Sequence, residues 1–199
     1  MPLGAESASR KTDVHGLRII ISGGPGTGKS TLLAALASQG EVCCEEVSRQ
    51  VIREQKAQDG RLLPWFNLEP FAQECLRRMK MQLAESKSHA RVFFDRGFPD
   101  VTGYMRHGGL TPPDELRIAS RAYSPLVFFA PPWREIFVND TERPQTYDVS
   151  LALSEQIRRA YVEFGFRVID LERTSIGNRV RQVLEQIHVL TKAECTWAA

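Results

Sequence analysis

The sequence predicts an α/β domain in which a five-stranded, mainly parallel sheet carries helices on both faces. Two observations lead there. From Leu17 onward, short apolar runs alternate with helix-length amphipathic segments, the order expected of parallel strands joined by helical crossovers. A glycine-rich turn, Gly23 to Ser30, also falls where the first apolar run gives way to the first helical pattern. A length of 199 residues suits one domain with a core on each side of a sheet.

Residues 1–15 have no period and are expected to form a flexible N-terminal arm. The first strand is Leu17 to Ser22, and the helix after it runs through Leu32, Leu33 and Leu36 until Gly40 stops it. Glu41 to Val47 holds a short second strand, with Ser48 to Lys56 helical after it. Asn67 can cap a longer helix whose Ala72, Cys75, Leu76, Met79 and Leu83 share one face. Arg91 to Asp95 reads as the third strand, and Thr111 before Pro112 starts a helix running to about Tyr123. The fourth strand, Leu126 to Ala130, is halted by Pro131-Pro132. Ser150 to Phe164 is helical, Gly165 ends it, and Phe166 to Asp170 makes the fifth strand. A last helix shows Val180, Val183, Leu184 and Ile187, which places the domain at 16–190 and a polar C-terminal tail at 191–199.

Composition narrows the partners. Hydrophobic residues at 42% and charged residues at 25% are ordinary for a globular chain. A formal charge of +2 gives no electrostatic reason to expect nucleic acid or an acidic membrane. No apolar run approaches the roughly 20 residues that cross a bilayer. Cys43, Cys44, Cys75 and Cys195 include no Cys-x-x-Cys pair. With no leader pattern seen, the expected setting is the reducing cytoplasm.

Gly23-x4-Gly28-Lys29-Ser30 satisfies G-x-x-x-x-G-K-[ST]. Glycines let main-chain N–H groups turn inward around a β-phosphate with no Cβ in the way. Gly24, Pro25, Gly26, Thr27 and Gly28 then form the cradle, and Lys29 reaches the β- and γ-phosphates. Ser30 offers its hydroxyl to Mg²⁺, and Thr31 extends the phosphate site along the helix, whose positive end favours an anion. The nucleotide expected is ATP with Mg²⁺, in a P-loop NTPase fold of three layers. No histidine pair has metal-ligand spacing, so no other metal is expected.

Val92-Phe93-Phe94-Asp95 is an apolar strand ending in a carboxylate. Beside the first strand, Asp95 would lie near Ser30, able to hold Mg²⁺ or take a proton from an attacking hydroxyl. Many hydrolytic ATPases follow this aspartate with glutamate, which polarises water. Here Arg96 follows. A guanidinium is no base but can hold a phosphate, which favours transfer to a bound acceptor over hydrolysis.

Asp95-Arg96-Gly97 with the P-loop resembles the Asp-Arg or Glu-Arg motif of nucleoside and nucleotide kinases. The wider order resembles the small predicted ATPases of the AAA-type "AAA domain" family, which are similar to ribosylnicotinamide kinase. It runs GGPGTGKS, Glu46-Val47-Ser48-Arg49, Asp95 to Asp100, and Asn139-Asp140-Thr141-Glu142-Arg143. The resemblance implies that Arg143 belongs to a lid whose charge stabilises the transferring phosphoryl group. The polar, proline-bounded stretch Pro131 to Asp148 suits such a lid. It also implies that Glu46, Arg49, Arg96 and Asp100 line an acceptor pocket. Trp65-Phe66 and Tyr104 either pack in the core, the commoner use of such rings, or stack on a flat acceptor.

The expected activity is an ATP-dependent kinase acting on a nucleoside- or nucleotide-like small molecule, with Lys29, Asp95, Arg96 and Arg143 catalytic. The alternative is an ATPase or nucleotide-dependent switch acting on a macromolecule. A GTPase fits less well, because Asp95-Arg96-Gly97 lacks the Asp-x-x-Gly spacing.

Overall fold

The computed structural model describes residues 16–138 and 146–197, with side chains up to residue 190. Strand β1 (Leu17–Gly23) is buried from Arg18 onward, as a strand covered on both faces must be. It pairs in parallel with β3 (Arg91–Asp95) and β4 (Leu126–Ala130) on its two sides. The two-residue β2 (Cys43–Cys44) and β5 (Arg167–Asp170) form the edges, giving a five-stranded sheet in the order β2-β3-β1-β4-β5. Every pairing is parallel. The sheet is therefore wholly parallel, where the sequence had suggested only a parallel majority.

Alternation along the central strands builds two cores, because successive side chains leave a strand on opposite faces. Ile20, Phe94, Val127 and Phe129 meet Phe71 and Met79 of α3 (Leu68–Glu85) and Leu153, Ile157 and Tyr161 of α6 (Tyr147–Glu163). Ile19, Ile21, Phe93 and Phe128 meet Leu32 and Leu36 of α1 (Lys29–Ser38), and Val180, Val183 and Ile187 of α7 (Ile176–Trp197). Helix, sheet and helix make the three layers of a P-loop NTPase fold. None of the described helices is long and apolar enough to cross a membrane.

The helices depart from expectation in three places. The first is α4 (Phe98–His107), directly after the Asp-Arg-Gly segment, which the sequence reading passed over. Pro99 sits in its first turn, where the missing N–H costs nothing. At Gly103 a Cβ would stand 2.7 Å from the Ile157 Cα, so glycine lets α4 and α6 touch. The second is α5, which spans only Asp114–Ser120, not Thr111 to Tyr123. The residue before a proline is pushed to extended geometry, so helix cannot begin until Pro112-Pro113 is passed. Tyr123 instead enters the core, its ring 5.2 Å from Phe94 and 5.4 Å from Phe98. The third is α7, whose backbone runs past residue 190 to Trp197. The remaining helix, α2 (Val47–Ala57), follows β2.

Candidate functional site

The turn between β1 and α1 has the backbone of an anion cradle. Gly26 and Gly28 hold φ of 70° and 78°, left-handed values that favour glycine. A Cβ at Gly26 would also strike the Phe137 ring, 2.5 Å away. Gly28 caps α1 without any side-chain hydrogen bond, so the positive helix end is available to a ligand. Outside groups hold the turn in shape: Ser150 Oγ donates to the Pro25 carbonyl at 2.7 Å, and Arg179 Nη1 to that of Thr27 at 3.2 Å. Ser30 and Thr31 are exposed at the rim.

Lys29 is buried beneath this turn. Its Nζ donates to the Gly24 carbonyl at 2.6 Å and to Thr27 Oγ1 at 3.3 Å. Burial, then the charge of Arg96, lower it to about 7 against the opposing pull of Asp95, Glu46 and Asp100. An ammonium short of compensating charge suits a polyphosphate.

Register carries the acid to the same place. Asp95 ends β3 directly opposite Ile21 of β1. Its Oδ1 is buried without a hydrogen-bond partner, the mark of an oxygen left for a ligand, water or ion. Burial first and Glu46 second raise its carboxyl to about 6. Orphaned Asp95 oxygen, exposed Ser30 hydroxyl, glycine cradle and buried lysine together fit a magnesium-bound nucleoside triphosphate.

Arg96 is one of two non-glycine residues at positive φ among those described, at 75°, a costly conformation held by its surroundings. Its Nη1 donates to the Gly23 carbonyl and Asp100 Oδ1, each at 3.0 Å, and its Nε stands 3.0 Å from Glu46 Oε1. Asp100, 1% exposed, also accepts from Ser22 Oγ at 2.7 Å, from Gly97 N at 2.9 Å, and from the Tyr161 hydroxyl. Its oxygens are thus occupied by four protein donors, and its work is to fix Arg96. Asp100→Ala is expected to destabilise the fold by about 3 kcal/mol, since it removes one of the two carboxylates on the buried Arg96 and leaves the Ser22, Gly97 and Tyr161 donors without their acceptor. Urea denaturation measures this, and a loss under about 1 kcal/mol would speak against the role.

Two cavities flank this cluster. The smaller, about 300 Å³, is lined by Pro25 to Thr31 with Ile136 and Val138 beyond. The larger, about 650 Å³, opens between α2, α3 and α4. Glu46 and Arg96 line both and so form the partition between them. Asp95 and Asp100 line the larger one. Arg49 does not. It faces the phosphate-side cavity, 3.7 Å from Glu46 Oε2, because the first turn of α2 carries it to the other side of Glu46.

Core packing of the tryptophan fails: Trp65 is 48% exposed at the rim of the large cavity, with Lys56 Nζ 5.5 Å from its ring centroid. Phe66 is exposed as well. Tyr104 is half-buried, lines the cavity and lies 5.6 Å from the Arg96 guanidinium. Arg143 lies outside the described residues. Sequence reasoning missed Ser150, Tyr161 and Arg179, which hold the turn and Asp100. Arg179, 2% exposed and 5.7 Å from the Trp133 ring, stands beside the apolar Val180 of its helix, and no motif marks it.

The family model described as AAA domain matches residues 18–179. The chain belongs to the AAA domain family. No curated protein matches this AAA domain chain in sequence. Among solved structures it is similar to deoxyadenosine kinase from M. mycoides, with TM-score 0.58 and 13% identity over 87% of this chain and 100% of that one. NadR protein in complex with NR aligns with TM-score 0.64 and 19% identity, over 88% of this chain and 52% of that one. Shikimate kinase from Acinetobacter baumannii, in complex with shikimate, gives 0.51 and 18%, over 87% and 94%. At such identities the likeness bears on the fold, that of a P-loop NTPase.

Proposed function

We propose that this AAA domain protein is an ATP-dependent kinase that phosphorylates a hydroxyl of a nucleoside- or nucleotide-like small molecule. The observation that carries the reading is the partition: Asp95 and Arg96 line the larger cavity, and Arg96 also lines the smaller one beside the glycine turn. A hydrolase needs a water beside its base, whereas this base faces a chamber sized for an organic molecule.

ATP·Mg²⁺ would supply the phosphoryl group and a divalent charge, held by the main-chain amides of Gly24 and of Gly26 to Thr31, by Lys29 and by Ser30. The chain's own residues do the positioning. Lys29 neutralises charge on the β- and γ-phosphates. Asp95, raised to about 6 and hence ionised near neutrality, takes the proton of the acceptor hydroxyl. Arg96, locked by Asp100 and Glu46, stabilises charge developing between the two cavities. The family resemblance adds Arg143 as a lid residue.

The lysine gives a signed pH dependence. Only the protonated form pairs with phosphate, and in the ligand-free protein it titrates at about 7. Affinity for Mg·ATP should therefore fall as pH rises from about 7 to about 9, by up to about tenfold per unit. Titration calorimetry measures this, and affinity constant over that range would remove the role given to Lys29.

The function itself is tested by screening nucleosides, phosphorylated sugars and vitamins for acceptor-stimulated ADP release with recovery of a phosphorylated product. ATP consumption yielding only free phosphate across the panel would favour an ATPase.

A further inference from the structure

The charge and polarity of the larger cavity narrow the acceptor further than its size does. Its reacting end holds three buried carboxylates, Glu46, Asp95 and Asp100, with the Arg96 guanidinium in the lining and the Lys29 ammonium acting on Asp95 from the phosphate side. That guanidinium is already engaged by Glu46 and Asp100. Lys29 does not line this cavity among the described residues; it belongs to the phosphate side. A phosphate group arriving as the nucleophile would bring up to two negative charges against buried carboxylates, and against the incoming γ-phosphate as well. Like charges brought together in a buried site repel strongly. A neutral hydroxyl meets no such penalty, and its proton has a carboxylate to go to.

The walls tell the same story. Ile52, Leu68, Phe71, Ala72, Met79 and Val101 line the body of the cavity, and all carry hydrocarbon or thioether side chains. They can reward an apolar or flat body with buried area, while the buried, unpartnered Tyr104 hydroxyl of the lining can hold a single polar group. Trp65 at the rim adds an aromatic face. The two further basic groups of the lining, Lys56 and His107, are exposed and so do not offset the carboxylates at the buried end.

We infer that the acceptor is an alcohol carrying no anionic group, with an apolar or aromatic body, bound hydroxyl-first, so that the product is a phosphomonoester rather than a diphosphate. This rests on the kinase reading of the same site. The step balances: the acceptor oxygen bonds to the γ-phosphorus, the bond from that phosphorus to the β–γ bridging oxygen breaks, ADP leaves and the hydroxyl proton passes to Asp95.

The test uses the full chain with Mg·ATP and matched acceptors. One comparison sets adenosine, uridine and thymidine against their 5′-monophosphates. A second sets the nucleosides and aryl-methanols against glycerol and free ribose. Products are resolved by mass, so that a new phosphomonoester, a new diphosphate and free phosphate are separately counted. The neutral member of each pair should exceed its monophosphate by at least about 100-fold in kcat/KM, and ring-bearing alcohols should exceed the polyols by about 100-fold. Monophosphates converted to diphosphates as well as or better than nucleosides are phosphorylated would overturn the inference while leaving a kinase. Polyols matching the ring-bearing alcohols would overturn the apolar body. Free phosphate alone, with no member of either set phosphorylated, would overturn the kinase reading and this inference with it.

Discussion

Replacing Lys29 by alanine is expected to lower phosphoryl transfer on the order of 1000-fold without lowering the melting temperature. The first half follows from position. Lys29 opens α1 directly behind Gly28 and lines the phosphate cavity, where a lost cationic donor is felt most strongly in the transition state. The second half follows from burial. A lysine lowered to about 7 in the folded chain binds its proton less tightly than an unfolded lysine does. Near neutrality the buried ammonium therefore weighs against folding, and its removal relieves that cost. The neighbours lose little: Thr27 Oγ1 still donates to the Gly24 carbonyl at 2.9 Å. Thermal unfolding and product formation measured on one preparation separate the two halves. A collapse of stability would mean that Lys29 is structural, and unchanged turnover would remove it from the chemistry.

Asp95→Asn should carry the second large effect, a loss of about 100- to 10,000-fold in the chemical step with far less change in ATP affinity. Asparagine keeps the shape at the end of β3 but takes no proton from a hydroxyl. Single-turnover phosphorylation set beside nucleotide titration tells the roles apart, because equal losses in both would assign Asp95 to metal retention or to structure. The parent enzyme gives a companion signal. With Asp95 raised to about 6 by burial and Glu46, kcat/KM should fall as pH drops below about 6, about tenfold per unit.

Much of this site was legible in the sequence because local rules set it. A phosphate cradle needs glycines at positive φ followed by a helix, so Gly26, Gly28 and Lys29 announce themselves without tertiary knowledge. Likewise, three apolar residues before Asp95 mark a strand buried on both faces, and a strand end in this fold faces the site. The parts that escaped depend on what packs where. Helix α4 contains Gly103, a mark of weak helix, and it holds because α6 presses against the space the glycine leaves. Glu46 and Arg49 share a segment, yet Glu46 lines both cavities and Arg49 only the smaller, a distinction made by the first turn of α2. Asp100 is recognisable as part of a motif, but only the Ser22, Gly97 and Tyr161 donors reveal it as a clamp on Arg96. The exposed Trp65 inverts the usual preference of tryptophan for the interior because the large cavity opens beside it.

None of this chemistry can occur unless the turn between β1 and α1 binds a polyphosphate. Calorimetric titration of Mg·ATP into the full chain near pH 7 examines that directly, with Lys29→Ala as the control. One saturable site, weakened at least about tenfold in the variant, is the predicted outcome. A folded protein giving no saturable heat with Mg·ATP or with any other magnesium nucleoside triphosphate would contradict it.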